Sequence, residues 1–117
     1  MIVDDEPSIQ ELMAIILEDM GHSVVAQSLN GEEALKDYEK LKKKPDLIII
    51  DHRMPIMSGA ELAEVLVRTH PDQRILFLSA DNSARELVSK MGISNFLEKP
   101  VDIETIRSAV SAALDQS

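Results

Sequence analysis

Two unbroken apolar runs constrain the fold of this chain more than any other feature. Leu47-Ile48-Ile49-Ile50 and Ile75-Leu76-Phe77-Leu78 show no alternation of polar and apolar residues. A strand with one wet face reads with period two, so these runs mark strands buried on both faces, as in a parallel sheet covered by helices. Parallel neighbours need long crossovers, and amphipathic stretches of helical period lie between the apolar segments. The alternation occurs five times. It predicts a (βα)5 chain folded as a three-layer α/β sandwich around a parallel sheet.

The other elements follow from caps and breakers. Met1-Ile2-Val3 is the end of a first strand. Ile9, Leu12, Met13, Ile16 and Met20 give the inner stripe of a helix over 8–20, with Pro7 in its first turn, Ser8 and Glu11 as a capping box, and Gly21 as its stop. A second strand lies between Ser23 and Ser28 and includes Val24 and Val25. Asn30 opens a helix with Ala34, Leu35, Tyr38 and Leu41 inward, ending in Lys42-Lys43-Lys44 before Pro45. Ser58 with Glu61 caps a third helix through about Arg68. A fourth runs from Ala84 to Met91, closed by Gly92, and leads to a strand over Asn95 to Glu98. Asp102 caps the last helix, with Ile103, Ile106, Val110 and Ala113 inward. In the flavodoxin-like strand order 2-1-3-4-5 the first strand is internal, and three residues before the acidic Asp4-Asp5 are few for that place.

The 117 residues fit one domain, 1–117, large enough to fold without staples. There is no Cys, which removes disulfide and thiolate chemistry and is compatible with a cytoplasmic protein. No apolar run reaches membrane-spanning length, and charge begins at Asp4, too early for a secretory signal. The net charge of −9 argues against direct binding to nucleic acid, which needs clustered Lys and Arg. Lys42 to Lys44 suit a solvated helix end rather than such a patch. The three histidines lack metal-site spacing, and His52 reads as a loop residue.

Chemistry is expected at the carboxyl ends of the strands, where ligands bind in open α/β sheets. Asp4 and Asp5 follow strand 1, Asp51 strand 3, Ser79 strand 4 and Lys99 strand 5, so residues distant in sequence converge on one edge. Clustered carboxylates repel one another unless a cation intervenes, and an oxygen-only set with open positions suits Mg²⁺. A carboxylate beside Mg²⁺ can attack phosphorus, with the ion, the Lys99 ammonium and the Ser79 hydroxyl each holding a phosphoryl oxygen. The inventory matches an aspartyl-phosphate site.

Four segments, MIVDDEP, LIIIDHRMPIMSG, ILFLSA and NFLEKP, resemble the signature blocks of response regulator receiver domains, in order and spacing across essentially the whole chain. Each block alone is weak; together at matching strand ends they are specific. The resemblance implies Asp51 as phosphoacceptor. It implies Asp5 and Asp51 as magnesium ligands, Asp4 acting through water, and the backbone carbonyl of Arg53 as a further ligand. It also implies Lys99 pairing with the phosphate, a cis Lys99–Pro100 bond, and a switch in which Ser79 moves toward the phosphate while Phe96 swings inward. The output face would then be helix 4, strand 5 and helix 5. The implied donor is a sensor histidine kinase or histidine phosphotransfer protein. The implied target is a downstream protein or an effector domain outside this sequence, with neither nucleic acid nor membrane as direct partner.

Two positions vary among such domains. Arg53 and Asp81 carry opposite charges at facing loops and are expected to pair across the site mouth. Ile93-Ser94-Asn95 replace the acidic residues of the subfamily that dimerises through the output face, and Arg107 alone is thin support, so a monomer or another mode is expected. One rival is an interaction module that keeps the fold without phosphorylation; its usual mark, loss of an acidic residue or the Lys, is missing. Another is a phosphohydrolase, which needs a general-acid carboxylate just after the nucleophile, where His52 and Arg53 stand. The expected activity is self-modification rather than turnover of a free substrate.

Overall fold

The computed structural model describes residues 1–115. The elements alternate from first to last: β1 (Ile2–Val3), α1 (Pro7–Asp19), β2 (Gln27–Ser28), α2 (Gly31–Lys40), β3 (Ile48–Asp51), α3 (Gly59–Thr69), β4 (Ile75–Ser79), α4 (Asn82–Lys90), β5 (Asn95–Glu98) and α5 (Ile103–Leu114). The five strands form one sheet in the order β2-β1-β3-β4-β5, and every pairing is parallel. The order reverses beside β1 and β3, so a crevice opens at their carboxyl ends.

Why the two longest apolar strands, β3 and β4, stay apolar up to their last residue is visible in the packing. Ile48, Ile50, Ile75 and Phe77 face a core shared with Tyr38, Leu62, Leu66 and Val88 from α2, α3 and α4. Ile49, Leu76 and Leu78 face the other core, with Met13, Ile16, Ile106 and Val110 from α1 and α5. Successive residues of one strand thus feed two separate interiors, and neither parity can be polar.

Four local expectations are corrected. The Ser8–Glu11 capping box does not form: α1 begins one residue earlier at Pro7, with Glu6 at the N-cap, so Ser8 already lies inside the helix. Val24 and Val25 fall outside β2, and Val25 is exposed. β2 is an edge strand whose only partner, β1, offers two paired positions, Ile2 with Gln27 and Val3 with Ser28. The ladder therefore ends where β1 ends. α2 stops at Lys40 rather than in the lysine run, and the Lys44 ammonium donates to the carbonyls of Tyr38 (2.6 Å) and Leu41 (3.1 Å), satisfying the helix's last acceptors. Finally, Leu12 and Ile103 are exposed. Gln10 occupies the inner face of α1 instead, while Ile103 sits in a first turn of α5 that is exposed through Thr105.

Candidate functional site

The residues singled out at the strand ends gather at the crevice. Asp51 is the last residue of β3 and its side chain is only 7% exposed. It forms an ion pair with the Lys99 ammonium, which projects from the residue after β5. The Lys99 main chain is fixed as well: its N–H donates to the Ser79 carbonyl at 3.0 Å, and the Lys99–Pro100 bond is cis. Burial works to lower the Lys99 pKa, but the bond to Asp51 and the charges of Asp51, Asp4 and Glu6 outweigh it and leave the value raised.

Across from this pair lies the loop after β1. Carboxylate oxygens of Asp4, Asp5 and Glu6 lie within 4.8 Å of one another. Asp4 is buried, and its Oδ1 accepts the Glu6 N–H at 2.9 Å. The Asp4 carboxyl is raised to about 6: burial pushes it up most, the Glu6 N–H pulls it back, Asp51 and Asp5 add to the rise, and Lys99 opposes them. A single lysine thus faces a crowd of carboxylates. The chemistry of this donor set, all oxygen, negative and only partly neutralised, fits a hard divalent cation such as Mg²⁺. Glu6, read from sequence as a favourable helix-start charge, belongs to the cluster while making no side-chain cap.

The loop after β3 is pinned close to the site. Gly59 N–H donates to the His52 carbonyl at 2.9 Å, and His52 N–H donates to Leu78 in β4 at 3.0 Å. Ile56 has a φ of 70° within a three-residue turn closed by the Met57 N–H on the Pro55 carbonyl at 2.7 Å. A branched residue is strained there, and strain of this kind collects at functional sites. Arg53 lies exposed in this loop and lines a shallow depression with Asp5, His52 and Ser58. The His52 ring packs against Phe77 at 5.7 Å, and its buried Nδ1 has no hydrogen-bond partner.

On the β4 side, Ser79 is buried and its Oγ accepts the Asp81 N–H at 2.9 Å. Asp81 does not pair with Arg53. Its carboxylate caps α4 by accepting the Ser83 N–H (2.9 Å) and hydroxyl (2.6 Å), bonds that lower its pKa before the charges of His52 and Arg53 add to the effect. A residue two beyond a strand end is here a helix cap first. Phe96, half-buried on β5, stacks on Phe77 at 5.9 Å and lies under the Arg85 guanidinium at 5.3 Å. Arg107 is engaged within the chain by Asp19 at 2.7 Å and Glu104 at 3.9 Å. The other two histidines stand away from the site, and His70 lies edge-on to Tyr38.

One contributor escaped the sequence reading altogether. Gln10 is buried beneath the Asp4-Asp5 loop and bonds to its backbone. The signal was present: residues 10, 13 and 17 have helical spacing, and the first is a polar side chain on an otherwise apolar face.

Comparison with known proteins places this geometry in a family. The profile of the response regulator receiver domain matches residues 1–111. The transcriptional regulatory protein GlrR of Escherichia coli is 34% identical over the whole of this chain, which spans about a quarter (26%) of that protein's length. The chemotaxis protein CheY of Listeria monocytogenes is 30% identical, covering 97% of this chain and 95% of its own. Among solved structures, the response regulator TrrA of Thermotoga maritima in complex with Mg(2+)-BeF superposes with a TM-score of 0.83 at 31% identity, covering 96% and 95% of the two chains. With a family match across nearly all of its length and a relative aligned end to end, this chain belongs to the response regulator receiver domains of two-component signalling.

Proposed function

We propose that this domain accepts a phosphoryl group from a phosphohistidine onto Asp51, in a magnesium-dependent reaction, and so switches the surface made by α4, β5 and α5. The observation that carries the reading is the buried Asp51–Lys99 ion pair beside the Asp4-Asp5-Glu6 cluster. An Asp51 carboxylate oxygen forms the new P–O bond as the donor's P–N bond breaks, and the electron pair leaves with the imidazole, which takes up a proton. The Lys99 ammonium shifts its ion pair from the carboxylate to a phosphoryl oxygen. The Ser79 hydroxyl accepts from Asp81 N–H, so its own proton is available to donate to a second oxygen. Asp5, Asp51 and the Arg53 carbonyl, with Asp4 through water, would hold the magnesium, whose charge offsets that of the phosphoryl oxygens.

Phe96, packed between Phe77 and Arg85, is positioned to report movement of Ser79 to the output face, a population shift between two states. The donor is a sensor histidine kinase or histidine phosphotransfer protein, and the receiver of the signal is a downstream protein or an attached effector domain. The reaction modifies the domain itself rather than turning over a free substrate. No described helix is long and apolar enough to cross a membrane, and a cytoplasmic place suits such a relay.

Incubation with acetyl phosphate and Mg²⁺, followed by intact mass, tests the reading. One hydroxylamine-labile phosphoryl group is expected, absent from Asp51→Asn and from the chelator control. No adduct, together with no binding of beryllofluoride, would leave a phosphorylation-independent interaction module as the better account.

A further inference from the structure

The buried polar residues among those described are Asp4, Gln10, Ser28, Asp51 and Ser79, and the chemistry above leaves Gln10 and Ser28 without a part. Gln10 is 5% exposed, in the first turns of α1, and its side chain points back toward the helix start. Its amide nitrogen lies 2.7 Å from the Ser28 carbonyl, 3.1 Å from that of Asp4 and 3.3 Å from that of Ile2. Two N–H groups are thus shared among three main-chain acceptors at the ends of β1 and β2. Gln27 fixes the amide's orientation by donating to Gln10 Oε1 at 3.3 Å. Ser28 anchors the far side, its hydroxyl donating to Asp37 of α2 at 2.7 Å.

β1 and β2 share only two paired positions, so beyond Val3 the ladder reaches no further than the Asp4 N–H and leaves the Asp4 carbonyl to be held by something else. Asp4 is held at three points: its N–H on Ser28 (3.0 Å), its carboxylate by Glu6 N–H (2.9 Å), and its carbonyl by Gln10. The last is the one that fixes the peptide plane joining Asp4 to Asp5. The ψ of Asp4 and the φ of Asp5, the soft dihedrals on either side of that plane, set how the two side chains are directed relative to each other, so freeing the plane loosens both carboxylates. We infer that Gln10 is a positioning residue for the acidic pair, holding the Asp4–Asp5 peptide so that the two carboxylates converge on the magnesium position. The inference rests on the magnesium reading above and adds a residue that touches neither ion nor phosphate.

Calorimetric titration of the metal-free protein with Mg²⁺, well below its melting temperature, tests it. Gln10→Met keeps the side chain's length and removes its donors. Its Mg²⁺ affinity is expected to fall ~10-fold or more, the range found when a support behind a metal ligand is lost. Tyr38→Phe removes a buried hydroxyl bond to Gln73 at the opposite end of the sheet and serves as a stability control. It is expected to lower the melting temperature with wild-type Mg²⁺ affinity. Gln27→Ala, at an exposed position, removes the donor to Gln10 Oε1, leaves the Gln10 amide less firmly held and should weaken binding by an intermediate factor; it decides the matter if Gln10→Met does not fold. Wild-type affinity in Gln10→Met, or in Gln27→Ala where only that variant folds, overturns the inference. So does equal weakening in Tyr38→Phe, which would make the effect one of stability alone. Failure of the wild-type protein to bind Mg²⁺ would instead sink the magnesium reading on which it stands.

Discussion

At Gly59 the absence of one methyl group determines how closely α3 approaches Asp51. A Cβ built there would lie 2.3 Å from the Asp51 carbonyl oxygen and 2.7 Å from His52 Cα, contacts with backbone that no rotamer relieves. Gly21 differs: it has open space around it but a φ of 91°, so its requirement is conformational. Gly59→Ala must push the β3–α3 loop away from the strand end. The expected loss is about 1–3 kcal/mol, the usual cost of overpacking, accompanied by weaker Mg²⁺ binding because Asp51 and Arg53 flank the displaced segment. Thermal unfolding and Mg²⁺ titration of the same variant check both, and an unchanged affinity would show that the loop yields without moving Asp51.

Helix ends show what can be read locally and what cannot. Asn30, Ser58 and Asp102 stand where their sequence context put them, each accepting the N–H three residues on. Ser58 and Glu61 make the reciprocal bonds of a full capping box, so Ser58→Ala should lower stability by about 1 kcal/mol in denaturant unfolding, with little change at Asp51. Ser8 and Glu11 carry the same pattern but form no cap, because Pro7 starts the helix earlier and Asp4 meets the Glu6 N–H from outside it. The apolar periods of β3 and β4 were legible because burial on both faces leaves an unmistakable run. β2 was not, since its length is imposed by its partner rather than by Val24 and Val25. Likewise the strand-end residues Asp51, Ser79 and Lys99 could be placed from topology. The role of Asp81 as a cap, the proximity of Glu6 and the burial of Gln10 depend on loop geometry and on the needs of unpaired carbonyls, which no periodicity reports.

Across the whole molecule, Asp4, Asp5, Glu6 and Asp51 gather negative charge at the carboxyl end of the sheet, and this links stability to pH. Asp4 is the group that shows it, with a carboxyl raised from 3.8 to about 6, first by burial. A carboxyl raised on folding binds its proton more tightly in the native state. Its stabilising contribution is therefore complete below pH 3.8 and is lost as pH rises through about 6. At neutral pH the metal-free fold carries the ionised Asp4 at a cost on the order of 2 kcal/mol, allowing for solvent screening at the site mouth. Without Mg²⁺, the Asp4 contribution should thus rise as pH falls from 7 to 5, and Asp4→Asn should flatten that slope and melt higher than wild type at pH 7. Saturating Mg²⁺ should reverse the ranking, because binding to the native state alone adds about 2.7 kcal/mol at a hundred times Kd. Melting temperatures of both proteins across that pH range, with Mg²⁺ and with chelator, measure the crossing directly. If Asp4→Asn is the less stable protein in chelator at pH 7, the ionised Asp4 is stabilised in the fold by the Glu6 N–H and Lys99, and the strained charge is not there.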